Sequence, residues 1–208
     1  DMVDLSTGIS PIAYPASAIT AAQWQALPTK SALDACLAAA RKHYAVPDDM
    51  DICVGPGSQA LLQNVPFLAP PGPVWIETPT YNEHAPAWAA AGHEVTCGDA
   101  LSDRVRHAVL VLPNNPMGTA DHDKAKAVAE QVRAGGGMVL IDGAFACGAD
   151  EARLLGQLPG PHIVHLRSFG KFFGMAGLRL GFAIGDAHVI ARLGARIGPW
   201  PVNNAALQ

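Results

Sequence analysis

The sequence predicts an α/β protein: a mainly parallel seven-stranded sheet with helices on both faces. Three observations carry this. Strand-like apolar runs alternate with helix-like runs along most of the chain, several of those runs end in glycine- or proline-bearing turns, and 50% of the 208 residues are hydrophobic. A chain of this length and composition buries one good core and is too short for two large domains.

The elements follow in order. Residues 1–30 hold Pro11, Pro15 and Pro28 with few periodic apolar positions, so they read as an extended arm with a short turn. A large domain then spans 31–200. Ala32 to Tyr44 has helical spacing through Leu33, Leu37 and Ala40, and Pro47 closes it. Strands are predicted at Ile52–Val54, Val74–Glu77, Glu94–Cys97, Val109–Leu112, Met138–Ile141, Ile163–Leu166 and Gly181–Ile184, and helices near 58–68, 82–91, 121–134 and 186–197. The link from Leu166 to Gly181 is too tight for a helical crossover, which predicts one antiparallel strand.

Bulk composition narrows the function. A formal net charge of −4 without any block of like charges argues against nucleic acid or an acidic membrane and in favour of a small-molecule partner. No run is as long as a membrane span, and Asp1-Met2-Val3-Asp4 lacks a signal-peptide layout, so a cytoplasmic location is expected. Cys36, Cys53, Cys97 and Cys147 show no Cys-x-x-Cys spacing and read as reduced, mostly buried thiols rather than zinc ligands or a disulfide framework.

The chemistry gathers at strand ends, where α/β sheets place it. Ser168-Phe169-Gly170-Lys171 leaves the Ile163–Leu166 strand, and Arg179 follows eight residues after the lysine. A lysine there can act as a nucleophile towards carbonyls, with Phe169, Phe172 and Phe173 giving an apolar setting, while Ser168 and Arg179 suit a phosphate. The same residues also fit a surface lysine beside a glycine turn. Gly55-Pro56-Gly57-Ser58-Gln59 follows a strand and opens a helix, so it either cradles an anion or merely starts the helix. Asp142 ends the run Met138–Ile141, where a buried carboxylate requires a partner. Pro113-Asn114-Asn115-Pro116-Met117-Gly118-Thr119 presents Asn115 either as a donor or as part of a simple turn.

Together these stretches resemble the fold-type I pyridoxal-phosphate (PLP) enzymes of the aminotransferase class I/II family. Asp4-Leu5-Ser6-Thr7-Gly8-Ile9-Ser10-Pro11, Pro79-Thr80-Tyr81-Asn82-Glu83-His84, Leu166-Arg167-Ser168-Phe169-Gly170-Lys171 and Gly198-Pro199-Trp200-Pro201-Val202-Asn203 look like its threonine-phosphate decarboxylase and histidinol-phosphate aminotransferase subgroup. The resemblance implies a PLP-dependent transferase-like large domain, with 201–208 opening a C-terminal small domain that this chain lacks. It implies an arm across the active-site mouth and a homodimer. It implies that Gly57, Ser58, Gln59, Ser168 and Arg179 border the PLP phosphate, Tyr81 stacks on the ring, Asp142 partners the pyridine nitrogen with His84 behind it, and Asn115 donates to the 3-oxygen. Lys171 would hold the cofactor covalently and move protons.

Five positions depart from the family pattern: Gly143 for Glu, Phe145 for Tyr, Leu27 for Tyr, Met117 for a small or polar residue and Ser10 for Asn. The leading expectation is a PLP enzyme acting on an amino acid or its phosphate ester, threonine-phosphate-decarboxylase-like in cobalamin biosynthesis or a histidinol-phosphate-type transaminase. A binding domain that kept the fold is the alternative from another class. A nucleotide domain would need a Gly-x-Gly-x-x-Gly or lysine-bearing phosphate loop, and the chain has neither.

Overall fold

The computed structural model describes residues 7–102, 104–148, 155–156, 158 and 160–208; Asp4–Ser6 of the first resembling stretch lie outside them. All seven expected strands are present: β1 (Asp51–Pro56), β2 (Val74–Glu77), β3 (Val95–Gly98), β4 (His107–Val111), β5 (Val139–Gly143), β6 (Ile163–Ser168) and β7 (Leu180–Gly185). They form one sheet in the order β1-β7-β6-β5-β4-β2-β3. Only β7 runs against its neighbours, Leu166 lying opposite Ala183 and Val54 opposite Phe182. The expected antiparallel strand is therefore the one reached through the lysine loop. β1, β2, β4, β5 and β6 all end at the same sheet edge, and their following loops meet there.

Helices cover both faces. Leu61 and Leu62 of α3 (Ser58–Asn64), Trp88 of α4 (His84–Ala90) and Leu193 of the helix Ala187–Ile197 pack with Ile76, Leu140 and Val164 on one side. Val128 and Val132 of α5 (His122–Ala134) pack with Leu110, Val139 and Ile141 on the other. The alternation of Val139, Leu140 and Ile141 between the two cores is why this strand reads as a continuous apolar run. Each such fully buried aliphatic side chain contributes about 1.5–3 kcal/mol. A third cluster joins Tyr44, beside α2 (Lys30–His43), to Ile52, Phe182 and Leu207. The last of these belongs to a short 3-10 turn, Asn204–Leu207, which packs into this cluster beside β1 and β7.

The short turn within the arm is a one-turn helix, α1 (Ala21–Gln25), in which Thr20 and Gln23 form a reciprocal capping box, the Thr20 amide donating to Gln23 Oε1 at 2.7 Å. Two expectations need correction. The helix expected over 58–68 becomes 3-10 from Val65 to Leu68, where Pro66 has no N–H to continue the α pattern. The four cysteines are free but not mostly buried. Cys36, Cys53 and Cys147 are half-buried, and Cys97 is exposed on the edge strand β3. Burial nevertheless pushes the Cys53 thiol up to about 12. Among the described residues no helix is long and apolar enough to cross a membrane.

Two buried histidines give the fold an acid limit. His165 on β6 donates Nε2–H to the Leu158 carbonyl at 3.0 Å, and burial, with Arg167 nearby, lowers its pKa to about 3. Burial likewise lowers His107 on β4 to about 4. Both stay neutral in the fold but protonate near 6.5 once unfolded, so the unfolded state binds more protons below that pH. Stability is therefore lost as pH falls from about 6.5 towards 3–4, at up to about 1.4 kcal/mol per pH unit for each histidine. Urea titrations at pH 7.5, 6 and 5 are expected to show this fall, and the slope in His165→Met is expected to be shallower by that amount.

Candidate functional site

At the edge where the parallel strands end lies a cleft with a cavity volume of about 130 Å³. Every site residue expected from the sequence borders it except His84.

At one end sits an anion-shaped corner. Gly57 joins β1 to α3 with φ +79°, and a Cβ there would stand 2.6 Å from Arg179 Nη2. Opposite, a Cβ on Gly181 would overlap the Ser58 backbone nitrogen. The two missing side chains let the turn lie directly on β7 with the guanidinium against it. Arg179 has φ +56°, the left-handed region that costs a non-glycine residue about 1–2 kcal/mol, and its Nη1 donates to the Ala176 carbonyl at 3.3 Å. Such strain is kept where the surroundings over-determine it. With the Ser58 and Ser168 hydroxyls, one fixed cation faces the cleft among neutral donors, a set suited to a phosphate dianion.

At the floor, Asp142 is the last residue but one of β5, with only 4% of its surface exposed. Its Oδ1 accepts from the Ala144 amide at 2.9 Å and its Oδ2 from His84 Nε2 at 3.0 Å. His84 opens α4, is fully buried and lines no part of the cleft; it reaches the site through its bond to Asp142 and its ring contact with Tyr81. The two bonds hold the carboxylate in place and leave lone pairs for a cationic N–H partner in the cleft.

Tyr81 forms a wall. Its ring stands edge-on to His84 at 6.0 Å, and its hydroxyl donates to Gln59 Oε1 at 3.1 Å. Burial, then the Glu83 and Asp142 carboxylates, raise its phenol pKa above the ordinary value, with Arg179 opposing. The paired asparagines divide the labour. Asn114 makes the turn, accepting from the Met117 amide at 3.1 Å and donating to the Pro79 carbonyl at 3.1 Å, while Asn115 borders the cleft.

Lys171 follows β6, and the arm is stitched to its loop: the Ser10 amide donates to the Lys171 carbonyl at 2.9 Å and the Tyr14 amide to Phe173 at 2.8 Å. The apolar setting differs from expectation. Phe169 and Phe173 stack on each other at 4.3 Å, Phe172 is exposed, and the ring beneath Lys171 Nζ is Phe145, at 5.4 Å. Of the departures, Leu27 and Met117 are exposed and do not border the cleft. Gly143 has a packing reason: a Cβ there would overlap Arg167 Nη1, which donates to the Leu166 carbonyl at 2.9 Å. Sequence reasoning missed the apolar walls Leu62 and Val111, which carry no signal beyond being core residues, and Glu83, whose only signal is its place between Tyr81 and His84.

The family model for aminotransferase class I and II matches residues 17–208. Across its whole length the chain is 38% identical to a threonine-phosphate decarboxylase of Sinorhizobium sp, covering 64% of that protein. Over 98% of its length it is also 38% identical to one from Pseudomonas aeruginosa, covering 62%. The chain thus spans somewhat less than two thirds of these relatives. Its backbone matches the crystal structure of the histidinol-phosphate aminotransferase from Clostridium acetobutylicum with a TM-score of 0.79 at 18% identity, over 99% of this chain and 67% of that one.

Proposed function

Because the chain belongs to the aminotransferase class I and II family, whose members are PLP-dependent, we propose that it is the PLP-binding part of an enzyme acting on an amino acid or amino-acid phosphate, threonine-phosphate-decarboxylase-like and serving cobalamin biosynthesis. The observation that carries this is the convergence of an amine, a buried histidine-backed carboxylate and a fixed guanidinium on one cleft, in a chain 38% identical to two threonine-phosphate decarboxylases. These residues fit the cofactor. Gly57 and Gly181 clear a corner in which Ser58, Ser168 and Arg179 would hold its phosphate, with Gln59 at the border. Asp142 would hold the proton on the pyridine nitrogen, oriented by His84. Tyr81 would cover the ring, and Asn115 would donate to the 3-oxygen without help from Phe145, which has no hydroxyl.

When bound, PLP supplies an electron sink for the pair released as a bond at the substrate Cα breaks. The chain's own contribution is to place groups around that bond. Lys171 Nζ would anchor the cofactor and, once displaced by the substrate amine, hold or move a proton at Cα. Asp142 would keep the ring nitrogen cationic so that the sink stays strong. Which bond breaks depends on which stands perpendicular to the ring, and that is set by substrate anchors. In this reading a smaller domain outside the chain supplies the group that grips the substrate carboxylate. The exposed apolar side chains Trp24, Leu27 and Trp200, which line one surface hollow, support pairing into a homodimer. A cytoplasmic setting would keep the free thiols reduced.

A histidinol-phosphate-type transaminase would use the same residues and differ in the bond broken, so one assay separates the two. The full-length protein, loaded with PLP and given threonine phosphate, is expected to release CO2. Amine exchange that requires a keto acid, without CO2, would identify the transaminase. Cofactor binding without turnover of either kind would leave a non-catalytic binding domain.

A further inference from the structure

We infer that Glu83, which does not border the cleft, is a positioning residue that fixes the orientation of the Gln59 amide and through it the Tyr81 hydroxyl and ring. Glu83 carries a carboxylate that does not cap the helix it precedes. Glu83 occupies the N-cap position of α4 but makes no side-chain cap bond; its Oε2 instead accepts from Gln59 Nε2 at 3.0 Å, across from the start of α3. Gln59 in turn accepts the Tyr81 hydroxyl proton through Oε1 at 3.1 Å. Either end of an amide can face a phenol, because a phenol both donates and accepts. Only one end can face a carboxylate. Turning the Gln59 amide over would set its oxygen against the Glu83 oxygens, so Glu83 chooses the orientation and leaves Gln59 Oε1 pointing at Tyr81.

The consequence reaches the cleft in two ways. Tyr81 must donate to Gln59, which commits its proton to that bond and ties the free end of a residue that is 38% exposed. The Glu83 charge also adds to that of Asp142 in keeping the phenol protonated. The next residue, His84, bonds to Asp142, so this short stretch steadies both the wall and the floor of the site. The inference rests on the reading of the cleft as a PLP site, in which Tyr81 covers the ring.

The test is a double-mutant cycle in the full-length protein: wild type, Glu83→Gln, Tyr81→Phe and the double variant, each titrated with PLP by absorbance. Glu83→Gln keeps the size of the side chain, and Tyr81→Phe keeps the ring. If Glu83 acts through the Tyr81 hydroxyl, each single change weakens PLP binding about fivefold, the worth of one neutral hydrogen bond. The double variant is then no weaker than the single ones. A second readout needs no cofactor: the phenol titration assigned to Tyr81 by its absence in Tyr81→Phe is expected to shift to lower pH in Glu83→Gln. Additive losses, or an unmoved Tyr81 titration, overturn the role of Glu83. Failure of the underlying reading looks different, since wild type itself would then bind no PLP in the cleft, and the Tyr81 titration would still report on Glu83.

Discussion

Lys171→Ala protein is expected to lose all covalently fixed cofactor. In wild type incubated with PLP, the visible-to-near-ultraviolet band should be captured by borohydride and remain with the chain through denaturation; in the variant it should wash away. The reason is positional. Lys171 Nζ borders the cleft above Phe145, its loop is pinned by the Ser10 amide, and the Arg179 corner lies across the same cavity. The variant should still bind PLP loosely, because Arg179, Ser58 and Ser168 are untouched. Activity should fall by at least the ~10²–10⁴-fold that a positioned proton-transfer group provides. A folded, full-length wild type that fixes no cofactor, or a variant that fixes it equally, would end the enzymatic reading.

Asp142→Asn is expected to lower turnover about 10²- to 10⁴-fold while the protein remains folded. Removing one member of a buried charged pair is worth about 3–5 kcal/mol, which corresponds to that range of rate. The substitution keeps the shape of a side chain that is almost wholly buried, and an amide can still meet His84. What it removes is the negative charge opposite a ring nitrogen. The loss should therefore appear in kcat with native-like thermal unfolding, and a variant of unchanged kcat would show that Asp142 serves the fold alone.

The sequence alone determined the sheet and the places where its chemistry collects. Seven branched apolar runs separated by helical spacing leave few packings other than a covered, mainly parallel sheet. The brevity of the link through Lys171 predicted a reversed strand, which the structure identifies as β7. Residues at strand ends, among them Asp142, Lys171 and Asn115, were legible for the same reason: parallel strands that share a direction deliver their following loops to one edge.

Tertiary structure decided how those loops meet. That Asn114 rather than Asn115 makes the turn depends on a carbonyl at Pro79, far away in sequence. That Phe145 rather than Phe169, Phe172 or Phe173 lies under Lys171 depends on the packing of one loop against another. Gly143 reads as an unexplained departure until Arg167 is seen beside it, and the sequence assigns Glu83 no role until Gln59 arrives from another element. Local sequence carries periodicity and turn chemistry, which act over a few residues. Contacts between loops are set by how whole elements pack, and no short stretch encodes them.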